Sequence, residues 1–259
     1  MIGKERTAMN RPLIEGCVDS YLSAAAAVRG GADRLELCAD LAIGGTTPSP
    51  TLFEQIKRDH DIPINVLIRP RFGDFLYDPW ELDEMAGEIA RFRELGANGV
   101  VIGVLTPEGD LDREQMRRLI DRAEGMEVTL HRAFDMTRDP CAALETAVAL
   151  GCRTILTSGQ APSAWEGVTL LGELHRRAAG RIDIMAGSGV KRGNIRDIYE
   201  KTGIRSYHTT GRAGAVDSGM VYRKREVSMG LPSLSEYQLW RTDEAEFRAC
   251  AQIVHTLGG

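Results

Sequence analysis

The chain has 259 residues, of which 43% are hydrophobic and 27% charged, and its net charge is −5 at neutral pH. That length suits one large domain better than two, and the negative balance argues against nucleic acid or an anionic membrane as the main partner. No apolar run approaches the roughly 20 residues that cross a bilayer.

Residues 1–12 read as a flexible N-terminal leader, because they lack the apolar core of a signal peptide. The five cysteines, an odd number spread through the chain, read as reduced intracellular thiols and so predict a cytoplasmic protein. Leu13 to Val18 reads as the first strand. Asp19-Ser20 caps a helix that Gly30-Gly31 stops, and Arg34 to Cys38 forms the second strand. Ser49-Pro50 starts a helix, Ile62 to Ile68 a third strand, and Asp78-Pro79 a helix whose Leu82, Met85, Ala86, Ile89 and Phe92 share one face. Val100 to Val104 is the fourth strand, and Asp112 with Gln115 marks a capping box. The fifth strand begins at Val128 and runs into His131, Arg132 and Asp135, with Asp139-Pro140 opening the next helix. Arg153 to Leu156 is the sixth strand, followed by a second capping-box pair, Ser163 with Glu166. Ile182 to Met185 is the seventh, Asn194 to Thr202 its helix, Arg205 to His208 the eighth, and a last helix runs from near Asp243 to His255.

One junction recurs. Helices end in Gly31-Ala-Asp-Arg-Leu-Glu36, Gly96-Ala-Asn-Gly-Val-Val101, Gly151-Cys-Arg-Thr-Ile-Leu156 and Gly203-Ile-Arg-Ser-Tyr-His208, each a helix-stopping glycine, two connecting residues and a new strand. Eight strand–helix units joined by such short turns predict a single α/β domain over residues 13–259, a closed (β/α)₈ TIM barrel. An open doubly wound sheet fits less well, since no Gly-x-Gly-x-x-Gly follows the first strand.

In such a barrel the working residues sit at the C-terminal ends of the strands. Those ends collect Glu15, Cys17, Glu36, Cys38, Arg69, Arg71, His131, Arg132, Asp135 and His208. Glu-x-Cys occurs twice, at 15–17 and 36–38, and residues two apart share a strand face. Buried glutamates need partners, and Arg69 and His131 are the expected ones. Cys17 and Cys38 fit two roles, small core residues or soft ligands for Cu(I). The turns Ala186-Gly187-Ser188-Gly189 and Thr209-Thr210-Gly211, with Ser158 after the sixth strand, sit where barrels often hold an anion. No lysine ends a strand, which counts against a Schiff-base aldolase.

Glu15-Gly-Cys-Val-Asp-Ser20, Gly30-Gly-Ala-Asp-Arg-Leu-Glu-Leu-Cys38, Ile68-Arg-Pro-Arg71, Gly103-Val-Leu-Thr-Pro107, His131-Arg-Ala-Phe-Asp-Met-Thr-Arg-Asp-Pro140 and Leu156-Thr-Ser-Gly159 together resemble the CutC family of copper homeostasis proteins. The matching stretches span about residues 14 to 212. The resemblance implies a cytoplasmic TIM barrel that forms homodimers or higher homo-oligomers. It also implies a role in copper tolerance or trafficking, with Cu(I) bound by cysteine, here Cys17 and Cys38. The residues themselves leave a second reading open, an enzyme acting on a small anionic substrate such as a phosphorylated one. In that reading Arg69, Arg71, Ser158, Gly187, Gly189, Thr210 and Gly211 bind the anion. Glu15, Glu36, Arg69, His131 and Asp135 are then the catalytic set, with Glu15, Glu36 and His131 as acid/base groups or ligands for a divalent metal.

Overall fold

Short strands separated by capped helices can bury both faces of a parallel sheet only if helices cover its outside and the sheet curls to cover its inside. This chain does so. The structure, a computed structural model, describes residues 12–231 and 233–258; apart from Pro12, the expected leader lies outside them. Eight parallel strands close a barrel: β1 (Leu13–Val18), β2 (Arg34–Leu37), β3 (Ile64–Leu67), β4 (Gly99–Ile102), β5 (Glu127–Leu130), β6 (Thr154–Thr157), β7 (Asp183–Ala186) and β8 (Ser206–Thr209). Each pairs with its sequence neighbour, and β8 pairs back onto β1. The fold expected from the repeated junctions is therefore the observed one.

Eight helices are described: α1 (Tyr21–Arg29), α2 (Pro50–Asp59), α3 (Pro79–Glu94), α4 (Arg113–Ala123), α5 (Pro140–Leu150), α6 (Val168–Ala178), α7 (Ile195–Thr202) and α8 (Glu244–His255). Their starts follow local chemistry. Ser20, Ser49, Asp78, Asp112, Asp139 and Asp243 each accept hydrogen bonds from the first backbone N–H groups of the helix that follows. Proline follows the cap in α2, α3 and α5, where its missing donor costs nothing. Gly151 and Gly203 end α5 and α7 in the left-handed region.

Three sequence expectations shift. The Ser163–Glu166 pair forms, with Glu166 Oε2 2.8 Å from Ser163 Oγ, but it closes a turn rather than a helix. That turn is tied to the β7 exit by Ala164 N–H donating to Ser188 O at 2.9 Å, and α6 begins only at Val168. At Asp112 only half of the capping box exists, since Gln115 N–H donates to Asp112 while Gln115 Oε1 finds no partner among the described residues. The fourth strand starts at Gly99 rather than Val100, since Gly99 pairs with Asn65 and Glu127, and a Cβ there would stand 2.5 Å from Asn65 Oδ1. A two-stranded antiparallel ribbon, β9 (Ala215–Asp217) with β10 (Gln238–Trp240), occupies a stretch that carried no sequence reading.

The main core lies between the barrel and its helices, with Phe53, Phe92, Phe134, Tyr207 and Phe247 fully buried. A second, small apolar cluster of Cys17, Cys38, Leu67 and Val101 is separate from it, contributed by the inward positions at the tops of the first four strands. Phe247 shows how α8 is seated. Its ring lies 3.2, 3.1 and 2.7 Å from where Cβ atoms at Gly16, Gly30 and Gly211 would stand, so three small residues make its slot. Phe247→Ala is expected to cost about 3–5 kcal/mol of stability, read as a drop in urea midpoint at unchanged slope. A cost below about 1 kcal/mol would mean that α8 is not part of the cooperative unit.

Candidate functional site

The interior of the barrel carries charge, and the strand register decides where. Glu15 on β1 has Arg34 as its neighbour on β2 and His208 as its neighbour on β8. The side chains meet accordingly: Arg34 Nε donates to Glu15 Oε2 at 2.6 Å, and His208 Nδ1 lies 2.8 Å from Glu15 Oε1. The other face of His208 reaches Glu36, with Nε2 3.4 Å from Oε2. Glu15, Arg34 and Glu36 are all buried. The partners expected for the glutamates, Arg69 and His131, are therefore replaced by Arg34 and His208. Arg69 lies beyond the end of β3, whereas Arg34 and His208 share Glu15's rung.

One rung higher, Cys17 pairs in register with Glu36. Its Sγ lies 3.9 Å from Cys38 Sγ, which in turn lies 3.5 Å from Glu36 Oε2. Burial opposes ionisation of Glu15, but the Arg34 charge and the His208 hydrogen bond outweigh it and hold the carboxyl at about 2. Burial likewise opposes a charged His208, yet the neighbouring Cys17 and Glu36 raise its pKa well above the ordinary value. The hydrogen bond from Cys38 lowers the Cys17 thiol to about 5 against the effect of burial, with the His208 charge adding to it. Burial pushes both Glu36 and Cys38 up. The set amounts to a Cys17 thiolate beside an imidazolium, with the Cys38 thiol donating to it.

These groups form the floor of a cavity of about 310 Å³ at the C-terminal mouth. Cys17, Glu36, Cys38 and His208 line its base, while Arg69, His131, Arg132 and Asp135 line its sides. Glu15 lies beneath, 1% exposed, and touches the cavity only through His208. Leu41, Ile43, Leu67, Phe75, Met136 and Leu156 complete the wall with apolar surface.

Each side residue is held by its own loop. His131 Nδ1 accepts the Ala133 N–H at 3.1 Å, and its ring stacks against Phe75 with centroids 4.9 Å apart. Gly103 makes this placement feasible, because a Cβ there would stand 2.6 Å from the imidazole. Burial and the Arg69 charge lower His131 to about 3, so the ring is neutral. Arg69 donates to Gly45 O at 3.0 Å and Gly73 O at 2.8 Å, and packs over Phe75. Asp135 accepts from Arg132 Nε, Ser158 N–H, Ser158 Oγ, Thr157 Oγ1 and Gln160 N–H, so its carboxylate ties the turn after β5 to the loop after β6.

The expected anion ligands divide. Arg71 turns away from the cavity to bind Glu81, Asp74 and Leu76 O, bracing the loop before α3. Ser158 is fully buried and spends its hydroxyl on Asp135 and Ala161 O. Gly187 and Gly211 make room for protein side chains, Leu156 and Phe247 respectively. Gly189, Thr210 and Gly211 do line a neighbouring cleft of about 340 Å³ with Arg132, Lys191 and Arg212, and this cleft meets the main cavity at Leu41, Arg132 and His208. Arg34, the hub partner of Glu15, was missed although Arg34-x-Glu36-x-Cys38 is an inward alternation. The apolar wall carried no sequence signal, because Leu41 and Phe75 come from loops.

The fold and this site define a closed (β/α)₈ barrel whose mouth gathers two thiols, carboxylates and an imidazole over a partly apolar cavity. The model of the CutC family matches residues 12–213, and the chain belongs to that family. It is 44% identical over 251 residues to a human protein named copper homeostasis protein cutC homolog, covering 96% of this chain and 92% of that one. It is 47% identical over 239 residues to a CutC family protein of Parabacteroides distasonis, with 92% and 98% covered. A crystal structure described as the putative copper homeostasis protein CutC from Streptococcus agalactiae superposes with a TM-score of 0.74 at 32% identity, over 77% of this chain and 98% of that one. Thiamine phosphate pyrophosphorylase from Pyrococcus furiosus, at 15% identity and a TM-score of 0.58 over 97% and 100% of the two chains, shares the fold alone. Among the described residues no helix is long and apolar enough to cross a membrane.

The Glu15 rung has a pH signature. Its carboxyl is depressed from 4.5 to about 2, so the stability it contributes is present above the ordinary value and fades as pH falls toward about 2. Glu15→Gln is expected to cost about 3–5 kcal/mol near neutrality, the range for breaking a buried pair. The gap to wild type should narrow across that acidic window in urea melts. A gap that stays constant with pH would mean that Glu15 is not ionised in the folded state.

Proposed function

We propose that this CutC-family protein acts in copper homeostasis by holding one Cu(I) ion between Cys17 and Cys38 at the floor of the mouth cavity. The observation that carries the reading is the thiol pair itself, Sγ to Sγ 3.9 Å, in the cavity wall. With metal–thiolate bonds of about 2.3 Å, sulfurs at that spacing subtend an angle of about 115° at a shared ion, which a soft ion accommodates. The donor set suits the cargo. One thiol is already acidified to about 5, so loading displaces at most one proton from sulfur near neutral pH. Glu36, which groups with the two cysteines within metal-ligand reach, supplies a harder oxygen that adds little for Cu(I). His208 is engaged on both ring nitrogens and serves as a counter-charge to the thiolate. A cytoplasmic setting, where thiols stay reduced, fits five free cysteines, and a homo-oligomeric assembly accords with the family resemblance.

The test is a competition titration of Cu(I) against a chromogenic chelator under anaerobic conditions. Wild type is expected to bind one equivalent. Cys17→Ser, Cys38→Ser together should weaken binding by roughly 100-fold or more, beyond the loss typical of outer-shell changes. Unchanged affinity in the double variant would return both cysteines to the small apolar cluster in which they also sit.

A further inference from the structure

The thiol pair has a third donor beside it. Cys17, Cys38 and Glu36 each offer one ligand atom, and the three atoms lie within 4.8 Å of one another. Two of the spacings are 3.9 Å, Sγ to Sγ, and 3.5 Å, from Cys38 Sγ to Glu36 Oε2. Zinc binds thiolate sulfur at about 2.3 Å and carboxylate oxygen at about 2.0–2.2 Å. In a tetrahedral site those bonds set two sulfurs about 3.8 Å apart, and a sulfur and an oxygen about 3.6 Å apart. Both observed edges match, so one ion seated on this triangle reaches its donors without rebuilding the strands that carry them. All three residues line the floor of the mouth cavity, so the fourth position of such an ion faces a space of about 310 Å³. Three protein ligands with the fourth position left open is the arrangement by which zinc keeps a water.

A second grouping, Glu15, Glu36 and His208, also lies within ligand reach. Its donors are already engaged. Glu15 is held by Arg34 at 2.6 Å and by His208 at 2.8 Å, and it lies outside the cavity lining. These groups act as outer support instead, since His208 Nε2 stands 3.4 Å from Glu36 Oε2 and steadies that carboxylate. The charges agree with a divalent ion. Arg34 offsets Glu15 and His208 offsets Glu36, which leaves the two thiolates of a loaded site with two negative charges in a buried floor. An ion of charge +2 neutralises both, and buried charge is tolerated when it is paired in this way.

We infer that the cavity floor is a three-ligand site for Zn(II), formed by Cys17 Sγ, Cys38 Sγ and a Glu36 carboxylate oxygen, with its fourth position open to water from the cavity. The inference rests on the thiol pair being a metal site, but not on copper being the ion. It gives Glu36 a role that Cu(I) does not require, because an oxygen donor favours the harder of the two ions.

The test is an anaerobic titration of the reduced protein with Zn(II) against a chromogenic zinc chelator, run beside the Cu(I) titration, with Co(II) as a spectroscopic stand-in for zinc. Wild type is expected to take one Zn(II) from the chelator, and the cobalt form to show the intense visible bands of tetrahedral coordination together with sulfur-to-cobalt charge transfer. Azide should shift those bands by entering the open position. Glu36→Gln should lower Zn(II) affinity at least about tenfold more than it lowers Cu(I) affinity, a loss no smaller than that from an outer-shell partner. Should that variant fold poorly, zinc-edge X-ray absorption of wild type reads the same ligand set, as two sulfurs at about 2.3 Å and two lighter atoms at about 2.0–2.2 Å. Cu(I) binding without Zn(II) binding would overturn the inference and leave the copper reading standing, whereas binding of neither ion would remove both. Equal losses of the two metals in Glu36→Gln, a zinc shell with fewer than two sulfurs, or cobalt bands unmoved by azide would each overturn the site as drawn.

Discussion

The ion pair between Arg34 and Glu15 sits where the barrel closes, and much of the interior is arranged by it. Glu15 is on the strand that receives β8, so its carboxylate is the point at which the last strand and the second strand meet across the first. Placing a carboxylate there without partners would be prohibitive in so buried a position. With Arg34 at 2.6 Å and His208 at 2.8 Å it is fully compensated, and its orientation fixes the His208 ring. That ring then carries its second nitrogen to Glu36 and its charge to Cys17. The acidity of a thiol at the mouth, set first by the Cys38 hydrogen bond, is thus reinforced through a salt bridge one rung below it. Mouth chemistry and barrel closure are one network.

The cavity changes character with height. The floor is ionic and sulfur-bearing, built on strand residues whose positions the register fixes. The upper wall is mostly hydrocarbon, from Leu67 and Leu156 near strand ends and from Leu41, Phe75 and Met136 beyond the strands.

The fold was legible because its signals are local. Asp78-Pro79, Ser49-Pro50 and Asp139-Pro140 announce helices by satisfying their own first N–H groups, and the repeated glycine junctions announce the return to a strand. Strand ends were less legible. Gly99 starts its strand by pairing with Asn65 and must be glycine because Asn65 takes the space of a Cβ, and that is a fact about the neighbouring strand. The site was read in its residue types more than in its partnerships. Glu15, Glu36, Cys17 and Cys38 were visible from alternation, but pairing across a closed barrel depends on stagger, which no single strand encodes. Arg34 and His208 therefore went unassigned as partners, and Arg71 looked like an anion ligand although it braces a loop. The segment from 213 to 242, with its ribbon of Ala215–Asp217 and Gln238–Trp240, offered no periodicity to read.

Arg69 has a mechanical consequence of its own. Through Nη1 it holds the carbonyl of Gly45, in the loop after β2, and through Nη2 that of Gly73, in the loop after β3. A single rigid fork thus fastens two loops that the chain connects only through α2 and β3. Neither can swing outward while both bonds last, so this side of the rim opens as a latch does, all at once. Opening the rim past Gly44 or Phe75 therefore requires that guanidinium to let go together with the two Thr47–Arg69 bonds beside it.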